Sequence, residues 1–194
     1  TSPFHGENTG SSPVGRAIFP IKFRELWRSF GELHERERPR HKDRDAVPRF
    51  AANLTMMFTE WAFLDRFAAA AEAGFDAVEF LFPYEYDPDV LAKRLHDHHL
   101  TLALFNAPPG DWAKGERGLA ALFGREAEFQ NSLTTALHYA DALGVKRLHV
   151  MSGLANRHDR DAQEVYRNSL RHACEEAHRH GVATVSYTHL TLPT

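Results

Sequence analysis

The sequence predicts an α/β fold in which parallel strands alternate with helices. From residue 48 onward, short apolar runs typical of strands alternate with longer amphipathic segments typical of helices. Three junctions also share one pattern, a helix-ending glycine followed by an apolar strand: AGFDAVEF, LGVKRLHV and HGVATVSY. Because a helix that connects two strands brings them together in parallel, we expect four βα units and the beginning of a fifth.

The first two units are predicted between residues 49 and 99. The predicted elements are strand 49–54 (RFAANL), helix 60–74 (EWAFLDRFAAAAEAG), strand 76–82 (DAVEFLF) and helix 87–99 (DPDVLAKRLHDHH). The first helix is rich in alanine, and Gly74 stands where a left-handed residue commonly follows a helix. The second has Asp87 as a natural N-cap and Pro88 near its first turn.

The next two units follow the same arrangement. The predicted elements are strand 101–105 (TLALF), helix 125–144, strand 145–151 (VKRLHVM) and helix 161–181. Gly144 and Gly181 close the two helices, and the apolar run after Gly181 begins a fifth strand. Right-handed crossovers leave an open doubly wound sheet and a closed eight-unit barrel as the two main architectures. Both place ligands at the carboxyl ends of the strands.

Composition limits the classes of function. A chain of 194 residues with 43% hydrophobic residues can build one domain with a real core. It lacks an apolar run of membrane-spanning length and the layout of a signal peptide, which predicts a cytoplasmic protein with no membrane partner. A net charge of −3 argues against a nucleic-acid partner. The single cysteine, Cys174, excludes an intrachain disulfide, and we expect it to pack as a small apolar residue.

A polar residue occurs in or at the end of each predicted strand. These residues are Asn53, Glu79, Asn106 and His149. In a closed barrel they would point toward a shared mouth, where a hydroxy-carbonyl substrate needs donors and acceptors. For each there is also a structural alternative. The asparagines can bond loop backbone, Glu79 can pair with a buried arginine, and His149 can be a core histidine.

The loop NAPPGDWAKGERG, residues 106–118, is a further candidate binding element. It combines prolines and glycines with Trp112 and with Arg117, whose planar guanidinium could bind a carboxylate. The loop lacks phosphate-loop spacing, and no GxGxxG fingerprint follows any predicted strand. These absences argue against nucleotide binding. The HDHH run does not have a spacing typical of zinc sites.

Several long segments resemble the hydroxypyruvate isomerase family, including its 2-oxo-tetronate isomerase members. The segments are PRFAANLTMMFTE, AGFDAVEFLFPYEY, LTLALFNAPPGDWAKGERGLAAL, GREAEF and LHVMSG. The resemblance runs from Pro48 to about Ala183. This family belongs to the xylose-isomerase-like barrels, so the resemblance implies the N-terminal half, about four and a half βα units, of a (β/α)8 TIM barrel.

The resemblance also implies a reaction. Such enzymes interconvert a 2-hydroxy aldehyde and a hydroxy ketone that carry a carboxylate, for example tartronate semialdehyde and hydroxypyruvate. Two glutamates perform the proton transfer, usually with a divalent cation, Mg²⁺ or Mn²⁺. In the family all these groups lie on strand five and later, where this sequence reads SYTH. We therefore assign no catalytic residue and no bound metal to this chain, and expect it to be inactive.

The resemblance places five residues on the substrate side of the mouth. They are Glu79, Asn106, Trp112, Arg117 and His149. The expected partner is a small hydroxy-carbonyl carboxylate, and the full-length form can be a homo-oligomer.

Alternatives within the fold are a 2-oxo-tetronate isomerase, an epimerase and an abasic-site endonuclease. The acidic charge and the lack of a His/Glu metal set argue against the endonuclease. A non-catalytic βα binding or assembly protein is the alternative from another class.

The two ends of the sequence differ from this pattern. Residues 1–46 are turn-rich and then densely charged, which predicts a disordered or non-native leader. NTGSSPV can be encoded by DNA that looks like a transfer-RNA T-arm, consistent with translated upstream DNA. VSYTHLTLPT can be encoded by a transposase adapter used in sequencing libraries. We therefore expect a leader (1–46), a partial barrel (47–184) and an adapter-derived tail (185–194).

Overall fold

A computed structural model describes residues 49–156 and 158–186, and in these residues five parallel strands pair in the order β1-β2-β3-β4-β5. The strands are β1 (Ala52–Asn53), β2 (Ala77–Glu79), β3 (Thr101–Asn106), β4 (Arg147–His149) and β5 (Ala183–Val185). The helices are α1 (Arg66–Glu72), α2 (Pro88–Asp97), α3 (Glu126–Leu143) and α4 (Arg160–Arg179), with short 3-10 turns at Phe63–Asp65 and Trp112–Lys114.

The strand order decides between the two predicted architectures. In an open doubly wound sheet the order reverses at a switch point, whereas in a βα barrel each strand lies beside its predecessor. Here every strand pairs in parallel with the next one along the chain, and each helix contacts the next helix. The described residues therefore have the winding of a TIM barrel.

The helix ends follow the local sequence. The Asp87 side chain accepts a hydrogen bond from the Asp89 N–H at 2.8 Å, so the predicted N-cap of α2 is confirmed. Gly74, Gly144 and Gly181 follow their helices with positive φ angles of 90°, 65° and 66°, as predicted. β1, β2 and β4 are shorter than the apolar runs that predicted them, whereas β3 extends one residue beyond its predicted end, to Asn106.

The core lies between the sheet and the helices. The Phe80 ring on the helix side of the sheet lies 6.1 Å from Phe67 of α1 and 6.4 Å from Phe105 of β3, between ring centroids. All three side chains are at most 2% exposed. Burial of each such side chain contributes about 1.5–3 kcal/mol to the stability of the fold. One face of the sheet thus packs against the helices, and the polar side chains described below lie on the opposite face.

A register shift between β2 and β3 determines which side chains reach that second face. Val78 pairs with Leu102, but Glu79 pairs with Leu104, so Ala103 is an extra residue in β3. Strict alternation from Leu102 would turn Asn106 toward the helices. Because of the shift, Asn106 instead shares the face of Glu79.

One predicted environment is wrong. Cys174 is exposed, and its Sγ lies 2.9 Å from the Thr184 Oγ1. On α4 the neighbouring Ala173 and Ala177 are fully buried and form the face that contacts the sheet. Cys174 lies against Thr184 of β5, the edge strand of the described sheet, and no further described strand covers it.

Some predictions lie outside the described residues. The leader 1–46 and residues 187–194 of the proposed tail are among them. β5 ends at Val185, one residue beyond the predicted boundary at 184. Within the described residues, none of the helices combines the length and the apolar character needed to cross a membrane.

Candidate functional site

Two polar side chains of β1 and β2 form a hydrogen-bonded pair. Asn53 and Glu79 are register partners, and the Asn53 Nδ2 donates to the Glu79 Oε1 at 2.9 Å. The Asn53 Oδ1 accepts a hydrogen bond from the Thr55 N–H at 3.0 Å. Asn53 therefore bonds its own loop, one of the two roles that the sequence left open, and it also orients the Glu79 carboxylate, which the sequence did not predict.

A second pair joins β3 and β4. Asn106 and His149 are also register partners, and the His149 Nδ1 lies 3.0 Å from the Asn106 Oδ1. Both side chains are buried, at 5% and 4% exposure. Burial lowers the pKa of His149, so the ring is held neutral. With the Asn106 oxygen as acceptor, the ring proton lies on Nδ1.

These four residues share one face of the sheet. Register pairing carries the face from Asn53 to Glu79, then through Leu104 of β3 to Asn106 and His149. This is the face opposite the helices, at the carboxyl ends of the strands. Glu79, Asn106 and His149, three of the predicted site residues, therefore lie together on it.

Tyr84 supports this site and was missed from the sequence. Its hydroxyl donates to the backbone carbonyl of Asn106 at 2.6 Å, and its burial raises the pKa of the phenol well above the usual range. Tyr84 precedes Asn106 by 22 residues, on the loop after β2. Only the aromatic-rich FPYEY segment hinted at a packed role, and nothing in it identifies the partner.

The loops after β3 and β4 are joined at this edge of the sheet. Gly118 forms a bridge with Ser152, and the Gly153 N–H donates to the Arg117 carbonyl at 3.2 Å. Gly118 has a φ of +119°, and a Cβ there would lie 2.3 Å from the Met151 carbonyl oxygen. Only glycine allows the two backbones to approach this closely.

Trp112 and Arg117 form a separate element of the first of these loops. The Arg117 guanidinium carbon lies 3.7 Å from the centroid of the Trp112 ring, which is 43% exposed. The ring also lies 5.1 Å from that of Phe82, after β2. No hydrogen bond among the described residues links this stack to Asn106 or His149. The predicted site thus consists of a polar sheet face and a stacked loop pair.

A bidentate contact between an arginine and a protein carboxylate joins Arg125, just before α3, to Glu116 of the loop. Arg125 donates to both carboxylate oxygens of Glu116, at 2.5 Å and 3.2 Å, and also to Glu128. This contact lowers the pKa of the Glu116 carboxyl. The Arg125–Glu116 pair was missed because Arg125 stands in a predicted helix start, whereas its carboxylate partner is in the loop.

The described residues do not supply a metal centre. No three His, Cys, Asp or Glu side chains in this part of the chain come together as ligands. On the polar face Glu79 is the carboxylate, and it is hydrogen-bonded to an amide. One carboxylate does not match the oxygen-rich set that Mg²⁺ or Mn²⁺ requires, so we derive no step through a metal here.

Comparison with known proteins identifies close relatives. The family model of the xylose isomerase-like TIM barrel matches residues 67–187. A 2-oxo-tetronate isomerase from Cupriavidus necator is 55% identical over 141 residues, which cover 72% of this chain and 54% of the relative. A hydroxypyruvate isomerase from Escherichia coli is 50% identical over 105 residues, 54% of this chain and 41% of the relative.

A solved structure agrees with these sequence matches. The structure of a protein from Brucella melitensis, described as an AP endonuclease of family 2, matches with a TM-score of 0.70 and 53% identity. The match covers 72% of this chain and 55% of that one. The chain thus spans about half the length of the relatives it matches.

Proposed function

The chain belongs to the xylose isomerase-like TIM barrel family, and on that premise we propose that it is part of an isomerase acting on short sugar acids. The substrate class is a hydroxy-carbonyl carboxylate, with hydroxypyruvate or a 2-oxo-tetronate as the candidates. The names of the similar proteins support this class. The cytoplasmic location predicted from the sequence is part of the same proposal.

The observation that carries the proposal is the polar face formed by two hydrogen-bonded pairs. In the proposal, Glu79 is oriented by Asn53, and Asn106 is oriented by His149. A carboxylate and an amide together offer acceptors and donors to the hydroxyl and carbonyl oxygens of a sugar acid. Because each side chain is already held by its partner, little conformational entropy would be lost on binding.

The proposed residues bind and orient the substrate, and they do not transfer the proton. Moving a proton between adjacent carbons requires a carboxylate base close to both, and a divalent cation would polarise the two oxygens. We propose that these groups are supplied by residues beyond those described. Glu79 and the Asn106–His149 pair would then fix the substrate so that its reacting carbons face that base.

A chimeric barrel tests the function. Residues 49–186 would replace the matching half of the Cupriavidus necator isomerase, and turnover of 2-oxo-tetronate and of hydroxypyruvate would be measured with Mg²⁺ or Mn²⁺. We expect turnover of at least one acid, and a rise in KM for Glu79→Gln. Asp97→Asn on the surface of α2 is the matched control, because it also removes one carboxylate. A folded chimera that isomerises neither acid would contradict the proposal and favour a non-catalytic binding protein.

A further inference from the structure

We propose that Arg117, held against Trp112, binds the carboxylate of the substrate through its Nε and Nη2 edge. The proposal rests on the sugar-acid function proposed above and adds the subsite that distinguishes an acid from an uncharged ketose. It identifies Arg117 as the anchor of substrate binding and Trp112 as the residue that positions it.

The guanidinium group is fixed before any ligand arrives. It stacks on the Trp112 ring at 3.7 Å, and its Nη1 donates to the backbone carbonyls of Trp112, at 3.2 Å, and of Glu116, at 2.7 Å. The stack sets the plane of the group, and the two carbonyls set its rotation within that plane. An arginine side chain usually loses considerable rotamer freedom on binding, and here most of it is already lost.

The fixed orientation leaves one edge of the guanidinium for a ligand. Within the part of the chain that the structure describes, the hydrogen bonds that the Arg117 guanidinium donates both come from Nη1. Its Nε–H and one Nη2–H point in the same direction and form the planar fork that matches the two oxygens of a carboxylate. The contacts to the loop therefore select the side-on mode of carboxylate binding.

The carboxylates of the same loop are engaged elsewhere. Glu116 is held by Arg125, and Asp111 by Lys114 at 2.8 Å. These contacts lower the pKa of both carboxyls, so both stay ionised and paired. Arg117 forms no ion pair with another described residue. Its guanidinium is therefore available to an anionic ligand.

The position of the stack suits a substrate subsite. The Trp112 ring contacts Phe82 after β2, and the Arg117 carbonyl accepts from Gly153 after β4. The stack therefore lies where the loops after three successive strands meet, at the carboxyl edge that carries the polar face. Beside Arg117 lies an open groove of about 140 Å³, which is also lined by Lys114, Glu116, Leu122 and Leu154.

Binding to the 194-residue chain tests the subsite directly. The probe is D-glycerate, with glycerol as the same carbon skeleton without the carboxylate and inorganic phosphate as a second anion. In NMR spectra, the Arg117 Nε–H resonance is assigned as the one that is missing in Arg117→Lys. We expect D-glycerate to shift this resonance and glycerol to leave it unchanged. Lys93→Gln removes one positive charge from the exposed surface of α2, outside this loop, and should retain the shift. Absence of a shift, an equal loss in Lys93→Gln, or stronger binding of phosphate would overturn the assignment.

The chimeric barrel separates this proposal from the function on which it rests. We expect Arg117→Lys to raise the KM for the acid roughly 10- to 100-fold with little change in kcat, since a lost charge-assisted fork weakens binding about that much. Trp112→Ala should raise KM less, because it releases the guanidinium without removing it. If the chimera is active and its KM is the same with and without Arg117→Lys, the proposed subsite is refuted and the proposed function is not affected. An inactive chimera that still binds D-glycerate through Arg117 would refute the function alone.

Discussion

The glycine contact between the loops after β3 and β4 gives the sharpest stability prediction. Gly118→Ala places a Cβ 2.3 Å from the Met151 carbonyl oxygen and 2.5 Å from its carbonyl carbon, at a φ of +119°. The neighbour is backbone, so it cannot move aside as a side chain would. Gly124→Ala is the matched control, because Gly124 also has a positive φ, +77°, but nothing lies within 4 Å of its Cβ position.

Both substitutions place a Cβ on a residue with a positive φ, but only Gly118→Ala also forces that Cβ against neighbouring backbone. A positive φ at a non-glycine residue costs about 1–2 kcal/mol, which we expect for Gly124→Ala alone. Forcing an extra carbon against fixed neighbours adds about 1–3 kcal/mol, so Gly118→Ala should lower the free energy of unfolding by about 2–5 kcal/mol. The strain should also displace the segment around Arg117, whose carbonyl accepts from Gly153.

Urea unfolding followed by far-UV circular dichroism measures this difference on both variants in parallel. The denaturant slope must be the same for the two proteins, so that a change in midpoint reports stability. The D-glycerate shift of Arg117 should weaken in Gly118→Ala and persist in Gly124→Ala. Equal midpoints for the two variants would show that the loops do not approach as closely as described, and the reasoning would fail.

Two further predictions concern the polar face. Burial lowers the pKa of His149 in the folded protein below its value in the unfolded chain. Below about pH 6.5 the unfolded chain therefore binds more protons than the folded protein. The free energy of unfolding consequently decreases as the pH falls from about 6.5 toward the pKa of the folded state. Between about pH 7.5 and about pH 5.5, the melting temperature of His149→Gln should therefore decrease less than that of the wild type. An equal decrease in the two proteins would contradict this prediction. Tyr84→Phe removes the donor to the Asn106 carbonyl, and we expect a loss of about 1–3 kcal/mol in urea unfolding. Tyr139→Phe, which loses a similar bond to the Tyr86 carbonyl, is the comparison, and a Tyr84 variant as stable as wild type would show that this bond contributes nothing.

Local chemistry explains which parts of the fold could be predicted. The cap at Asp87 and the turn at Gly144 depend on the residue itself and its immediate neighbours. The alternation of strands and helices follows from periodicity over a few residues, and it predicted the βα units. The choice between an open sheet and a barrel depends on which strands pair, and that required either the family resemblance or the observed order.

The arrangement of the site depends on contacts that periodicity does not encode. Simple alternation along β3 places Asn106 on the face of Leu102, and only the register shift opposite Glu79 reverses this. The hydroxyl of Tyr84 reaches Asn106 from another loop. The residue types were therefore predictable, but their partners were not.

The two loop arginines show the same limit. Arg117 was singled out for a carboxylate, yet the observed bidentate contact to a protein carboxylate belongs to Arg125. Both residues have the same chemistry, and the choice of partner depends on the fold of the loop around Glu116. The role of Arg117 toward a ligand stays a prediction.

The extra residue in β3 has a consequence for changes in chain length. Ala103 has no pairing partner on β2, while the residues on either side of it pair in register with Val78 and Glu79. A gene that lost codon 103 would encode a regular strand in which Leu104 and Asn106 keep their present faces. A gene that lost a codon within β4 would turn every later side chain of that strand to the opposite face. The effect of inserting or deleting one codon thus differs between positions in this sheet. At position 103, β3 can lose one residue while its later side chains stay on their present faces.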